Sequence, residues 1–239
     1  MTVTAKVTKS GHKACINCID GTTATRNLIA TGSDDQSIRL WDIRADRAIK
    51  CVTQCFSSAV EAVKFSVSDE NVLYAASGRS LYSFDLRTEG IIIKSPTEVT
   101  QNAATDEINV ISFNAEGTFI AVADDTGTVT IIDVKRLNAY KPRQLKGHAS
   151  LVNAVAFNPL NSNRLVSGGF DYILNSWDLD LPGGNLTDTA NISLLGNGTV
   201  DPSSLKTINP PFPQCLSFTS GGRAVAVALG DGSVSTLSI

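Results

Sequence analysis

The sequence predicts an all-β chain assembled from a repeated unit of short antiparallel strands. Three observations carry this. Leu28 to Arg44 reads as a hairpin: Leu28 to Thr31 is apolar and β-compatible, Gly32 to Ser37 is turn-forming, and Ile38, Leu40 and Trp41 resume an extended apolar pattern. Much of this stretch recurs between Leu165 and Asp178, and the pairs His12/His148, Thr31/Ser167, Asp35/Asp171 and Trp41/Trp177 all stand 136 residues apart. Finally, the ends of five candidate first strands, Asp20, Phe65, Phe113, Phe157 and Phe218, follow one another at intervals of 45, 48, 44 and 61 residues. Self-similarity at a period of about 20–50 residues marks stacked supersecondary units that share a continuous core.

Taken in order, Val3 to Lys9 alternates apolar and polar residues as an exposed edge strand does. The first unit follows with strands at Ala14–Ile19, Leu28–Thr31, Ile38–Trp41 and Ala48–Thr53. The second has Val60–Phe65, Leu73–Ser77 and Leu81–Leu86, with a short turn at Gly78 to Ser80 and Phe84 in the position that Trp41 holds in the first. The third has Ile108–Phe113, Phe119–Ala123 and Val129–Val134 around a turn at Asp124 to Gly127. The fourth has Val152–Phe157, Leu165–Gly168 and Ile173–Trp177. The long last interval is explained by an Asn/Gly/Thr/Ser/Pro-rich segment between Asp180 and Pro210, read as an outer strand near Asn191–Leu195 with flexible flanks. The fifth unit has Gln214–Phe218, Arg223–Ala228 and Ser233–Leu237 around a Gly230-Asp231-Gly232 turn.

Gly11-His12 with Trp41-Asp42, and Gly147-His148 with Trp177-Asp178, resemble the Gly-His and Trp-Asp signature of WD40 repeats. In that family each repeat forms one four-stranded propeller blade of about 40–45 residues, so the two marked copies would sit three blades apart. The resemblance implies a WD40-type β-propeller domain over residues 1–239 with five recognisable blades, a flexible inter-blade insertion at 180–210, and a ring closed by the N-terminal strand. Seven blades are usual in the family, so it equally implies an incomplete seven-bladed ring. An open arc would leave sheet edges and blade faces uncovered.

Bulk properties narrow the function classes. With 20 Lys+Arg against 23 Asp+Glu the net charge is −3, and no run of basic residues offers the footprint of nucleic-acid or anionic-membrane binding. No apolar run approaches the ~18 residues of a membrane span, and Met1 to Lys6 has no signal-peptide core. Five cysteines, an odd number, suit a reducing compartment, so cytoplasm or nucleus is expected.

His12, Thr31 and Asp35, and again His148, Ser167 and Asp171, have the residue types of a hydrolase triad. Their recurrence at one offset argues for a structural part instead. Together with Trp41 and Trp177 they read as two copies of a polar network linking the inner strands, the hairpin turn and the loop that enters the blade. No catalytic residue, metal or cofactor is therefore expected. Cys15 and Cys18 stand three apart on an expected strand, where they would point to opposite faces and share no metal.

Trp41-Asp42-Ile43-Arg44 is the most informative motif. A Trp-Asp-x-Arg ending after a small-residue and acidic hairpin resembles the box by which some WD40 proteins dock on the DNA-damage-binding adaptor of cullin-4 ubiquitin ligases. On this sequence the box maps onto Asp35, Trp41, Asp42 and Arg44, with a degraded second copy at Phe84-Asp85-Leu86-Arg87 that adds Asp85 and Arg87. The resemblance implies a protein–protein interaction scaffold, a monomeric substrate receptor within such a ligase. A propeller reading peptides or histone tails through its central opening is the alternative, in which Arg44 would pair locally with a carboxylate such as Asp46.

Overall fold

The computed structural model describes residues 10–22, 27–137, 142–182, 185–192 and 210–239. Those residues form five antiparallel sheets, the blades of a propeller, in chain order. Blade 1 holds β1 (Ile16–Gly21), β2 (Leu28–Ser33), β3 (Ser37–Asp42) and β4 (Ala48–Val52). Blade 2 holds β5 (Val60–Phe65), β6 (Val72–Ser77), β7 (Ser80–Asp85) and β9 (Glu98–Thr100). The two-residue β8 (Ile92–Ile93) leaves blade 2 and pairs in parallel with β4, giving blade 1 a fifth strand that the sequence did not suggest. Blade 3 comprises β10 (Ile108–Phe113), β11 (Phe119–Asp124), β12 (Thr128–Asp133), a short 3-10 turn at Val134–Arg136, and β13 (Arg143–Lys146). Blade 4 comprises β14 (Val152–Phe157), β15 (Arg164–Gly169), β16 (Ile173–Asp178) and β17 (Asn185–Asn191). Blade 5 has three strands among the described residues: β18 (Pro213–Phe218), β19 (Ala224–Leu229) and β20 (Val234–Ser238).

Three sequence expectations are corrected here. The first strand starts at Ile16 rather than Ala14, so Cys15 lies in the preceding loop and the strand end aligned with Phe65 is Gly21, not Asp20. The outer strand of blade 4 runs Asn185–Asn191, not Asn191–Leu195. It pairs along the whole of β16, Asn185 opposite Asp178 and Asn191 opposite Ile173, with a bulge at Ser176/Trp177. Its polar sequence suits an exposed edge and gave no apolar alternation to read. The expected ring-closing strand at Val3 to Lys9 lies outside the described residues, as do residues 193–195.

The core is a stack of four layers, each filling the space between two blades. The Ile38 and Leu40 face of blade 1 packs against Val63, Phe65, Leu73 and Phe84 of blade 2. Tyr74, Ala76 and Leu81 of blade 2 pack against Ile111, Ile120 and Ile132 of blade 3. Ala121, Ala123 and Val129 of blade 3 meet Val155, Phe157, Leu165 and Trp177 of blade 4. Val166 and Leu174 of blade 4 meet Val225 and Val227 of blade 5. Period-2 alternation produces this: one set of each strand's side chains faces the preceding blade and the other faces the following one.

All five first strands carry a β-bulge at one place, so that Asn17, Glu61, Asn109, Asn153 and Gln214 are the extra residues in their ladders. A bulge re-aims its side chain. These five line a common cavity of about 370 Å³ at the centre of the arc, with Lys64. Neighbours among them are hydrogen bonded: Asn17 Nδ2 donates to Glu61 Oε1 at 3.3 Å and Asn153 Nδ2 to Gln214 Oε1 at 3.2 Å.

Candidate partner-docking surface

The third strand of blades 1 to 4 ends in an aspartate whose carboxylate caps the backbone two residues on. Asp42, Asp85, Asp133 and Asp178 accept from the N–H of Arg44, Arg87, Lys135 and Asp180 at 2.9, 2.9, 2.9 and 3.0 Å. This Asx turn fixes the direction in which the residue at that second position leaves the blade. Blades 1 and 2 place arginine there, and in both the guanidinium folds back on the same aspartate. Arg44 Nε and Nη2 donate to Asp42 at 2.9 and 2.6 Å, and Arg87 Nε and Nη2 donate to Asp85 at 2.9 and 2.7 Å. Arg87 also approaches Asp69 at 3.3 Å. Hydrogen bonds and charge from Asp42 raise the Arg44 pKa, and those from Asp85, then the charge of Asp69, raise that of Arg87.

Both guanidinium groups are exposed, and each uses one edge of its fork on its own aspartate. The partner of Arg44 is thus the aspartate of its own motif, not Asp46. Such a clamp holds each guanidinium in a set orientation. The equivalent position carries Lys135 on blade 3 and Asp180 on blade 4, so the matched arginine pair belongs to blades 1 and 2.

The box residues do not form one surface. Trp41 is buried and supports the strand end from beneath. Asp35 sits in the β2–β3 turn, at the other end of β3 from Asp42, roughly 20 Å away at strand rise. Asp42 and Arg44 stand at the end of β3, and Asp85 and Arg87 at the equivalent end of β7; Asp35 and Trp41 belong to an internal network.

That network is repeated. In blade 1 the Trp41 Nε1–H donates to Thr31 Oγ1 at 2.8 Å, Thr31 Oγ1 meets His12 Nε2 at 2.8 Å, and His12 Nδ1 meets Asp35 at 3.0 Å. In blade 4 Trp177 donates to Ser167 Oγ at 2.8 Å, Ser167 meets His148 Nε2 at 2.8 Å, and His148 Nδ1 meets Asp171 at 3.1 Å. With the imidazole N–H on Nδ1 every member is satisfied: the hydroxyl oxygen accepts from the indole N–H, and the hydroxyl O–H donates to Nε2. Burial lowers the His148 pKa against the opposing pull of Asp171. Burial alone would raise Asp35, but hydrogen bonds from Ser37, the Lys13 N–H and His12 outweigh it and hold the carboxyl at about 2. The entering loop is clamped too, since Lys13 N and Ala149 N donate to Asp35 and Asp171 at 2.8 and 2.9 Å. The indole closes over the Gly-His turn so tightly that a Cβ on Gly11 or Gly147 would lie 2.8 or 2.7 Å from the Trp Cη2.

Blade 2 has no such network, because Ala75 stands where Thr31 does and Phe84 packs edge-on against Phe56. In blade 3 the fully buried Asp124 does the clamping, accepting from the N–H groups of Thr105, Asp106, Thr126 and Thr128. Sequence reading took Asp124 only as a turn residue. Its signal was an Asp-x-Thr-Gly turn after an alanine-rich strand.

The family model for the WD domain, G-beta repeat, matches residues 4–42 and 140–178, two segments again 136 residues apart. The chain carries WD40 repeats. Their Trp-Asp ends are the Asx turns described above, and their Gly-His turns are the glycines beneath the indoles. Among similar proteins, the WD repeat-containing protein 53 homolog of Dictyostelium discoideum is 29% identical over 94% of this chain and 62% of its own length. WD repeat-containing protein YPL247C of Saccharomyces cerevisiae is 26% identical over 69% of this chain and 34% of its own. Meiotic fizzy-related protein 1 of Schizosaccharomyces pombe is 30% identical over 47% of this chain and 24% of its own. The chain thus spans less than two thirds of the length of these relatives.

Among the described residues no group of three or more His, Cys, Asp or Glu is placed to hold a metal ion, and no helix is long and apolar enough to cross a membrane. All five cysteines are free thiols. Cys18, wedged against Gly32 and Val60, is pushed up to about 12 by burial.

Proposed function

We propose that this WD40 chain is a protein-interaction module without catalytic activity, and that it docks on the DNA-damage-binding adaptor of cullin-4 ubiquitin ligases as a substrate receptor. One observation carries the reading: Arg44 and Arg87 follow the equivalent strand of adjacent blades, each exposed and oriented by its own aspartate, with Asp69 beside Arg87 as well. Two such forks form a bipartite donor patch suited to carboxylates or backbone carbonyls on a partner. The test is capture of the purified adaptor by this chain, with Arg44→Ala in parallel and its fold checked by circular dichroism. Capture by the wild type and not by the variant supports the reading. Equal capture by both removes Arg44 from it, and no capture by a folded wild type removes the adaptor.

A second reading is favoured by the central cavity. Burial raises the Glu61 pKa, and the nearby carboxylates of Asp34, Glu107 and Asp125 raise it further. The opening of about 370 Å³ is polar and lined by both Glu61 and Lys64, and the carboxylates clustered near Glu61 suit it to the cationic side chain of an extended peptide. Fluorescence anisotropy with a Lys/Arg-rich peptide would detect this, as binding lost in Glu61→Gln and retained in Arg44→Ala.

A further inference from the structure

The outer strand of blade 1 reaches the turn that carries Arg87 on blade 2. Lys50, on β4, donates through Nζ to Thr88 O at 2.5 Å and to Gly90 O at 3.1 Å, carbonyls of the segment that directly follows Arg87. That segment then crosses to blade 1 as β8. The Cys51 N–H donates to Ile91 O at 2.8 Å and the Thr53 N–H to Ile93 O at 3.0 Å. Among the described residues no other strand pairs outside its own blade.

The side-chain contact has a counterpart between blades 3 and 4. Arg143, on β13, donates through Nη1 to Leu179 O at 2.6 Å and through Nη2 to Leu181 O. Lys50/Arg143 and Thr88/Leu181 both stand 93 residues apart. Register agrees: Lys50 pairs with Leu40 and Arg143 with Ile131, each two residues before the aspartate that ends its third strand. A cation at one place on an outer strand thus holds the carbonyls beyond the Asx turn of the next blade. Blades 2 and 4 have Glu98 and Asp188 at that place, opposite Ser83 and Ser176. A carboxylate accepts and cannot donate to a carbonyl. The clamp therefore serves the turns of blades 2 and 4, and of these the blade 2 turn carries an arginine, Arg87, where blade 4 has Asp180.

We propose that Lys50 is a positioning residue for Arg87: fixed on blade 1, it sets the blade 2 turn at one distance and orientation from the Arg44 turn. Asp85 and Asp69 orient the Arg87 guanidinium from within blade 2. Lys50 ties that turn to the blade of the other arginine, since β4 is paired along β3, at whose end Arg44 stands. Two donors on separate blades act as one patch at full strength when their spacing is set before a partner arrives; ordering them on binding costs affinity. The consequence for docking rests on the adaptor reading, whereas the clamp is measurable with no partner present.

The experiment compares the wild type with Lys50→Met, Lys50→Arg and Arg143→Met, each checked for folding by circular dichroism. Amide hydrogen exchange of the chain alone reads the clamp. Lys50→Met is expected to speed exchange at Cys51 and Arg87 several-fold while Arg44 stays as in the wild type. Lys50→Arg is expected to restore slow exchange, because arginine makes this contact on blade 3. Calorimetric titration with the purified cullin-4 adaptor reads the consequence. Lys50→Met should bind about fivefold more weakly. Lys50→Arg should bind like the wild type, and so should Arg143→Met, which removes the same clamp from a turn without arginine. Unchanged exchange in Lys50→Met overturns the proposal. Wild-type adaptor affinity in Lys50→Met overturns it too, as does an equal loss in Lys50→Met and Arg143→Met, which would reduce the clamp to a support of the fold. Faster exchange in Lys50→Met with no adaptor binding by the folded wild type removes the adaptor reading and keeps the positioning of Arg87.

Discussion

Ser167 is the residue through which the blade 4 network is most exposed to test. Its side chain is fully buried and stands between the Trp177 indole and the His148 ring at 2.8 Å from each. Ser167→Ala leaves a buried N–H and a buried ring nitrogen unpaired, and should cost about 1–3 kcal/mol in chemical denaturation. The pH dependence follows from the same network. The folded pKa of His148 is depressed by burial, so the unfolded chain takes up its proton first as pH falls. Its contribution is present above the ordinary value of 6.5 and declines below it, read as the melting-temperature difference between wild type and His148→Gln. Asp35, held at about 2 against an ordinary 3.8, contributes above 3.8 and is lost as pH falls toward 2. A wild-type curve parallel to that of His148→Gln between pH 8 and 5 would contradict a neutral, buried His148.

At the scale of the element, the 136-residue repeat extends to the backbone itself. Gln36 and Tyr172, at equivalent places in the β2–β3 and β15–β16 turns, both have positive φ, 58° and 65°, where blades 3 and 5 put Gly127 and Gly232. A left-handed conformation costs an L-residue roughly 1–2 kcal/mol, more than the roughly 0.5–1 kcal/mol glycine loses in chain entropy. Gln36→Gly should therefore stabilise the chain by up to about 1 kcal/mol, measured as a higher denaturation midpoint at unchanged slope. What could be read at this scale was whatever follows from alternation and turn chemistry. The inner three strands of every blade fall within two residues of their expected bounds, because apolar period-2 runs between Gly/Asp/Asn turns specify them. The residues that spacing groups, His12, Thr31, Asp35 and Trp41, are hydrogen bonded to one another for the same reason: a repeated polar set needs repeated partners. The outer strands were legible only in part, since β9, β13 and β17 are short or polar and take their register from the neighbouring strand. The five bulges left no mark in the sequence. A bulge is a mismatch between two strands, visible only once both are paired, and so the lining of the central cavity was missed.

At the scale of the whole molecule, the blades share no single core; each layer needs the blade on its other side. The proposed partner-facing chemistry lies away from these layers, at the ends of the third strands of blades 1 and 2. There the spacing of one blade sets Arg44 and Arg87 apart as two donors on one edge, neither of which is needed to hold the layers together. Their replacement should leave the melting temperature within about 2 °C of the wild type, since exposed pairs contribute little to folding. The most direct measurement is a calorimetric titration of the cullin-4 adaptor into wild type, Arg44→Ala, Arg87→Ala and the double variant. Two forks acting as one patch predict a loss of about tenfold or more for each single variant and no measurable binding for the double. Wild-type affinity in the folded double variant would contradict the account.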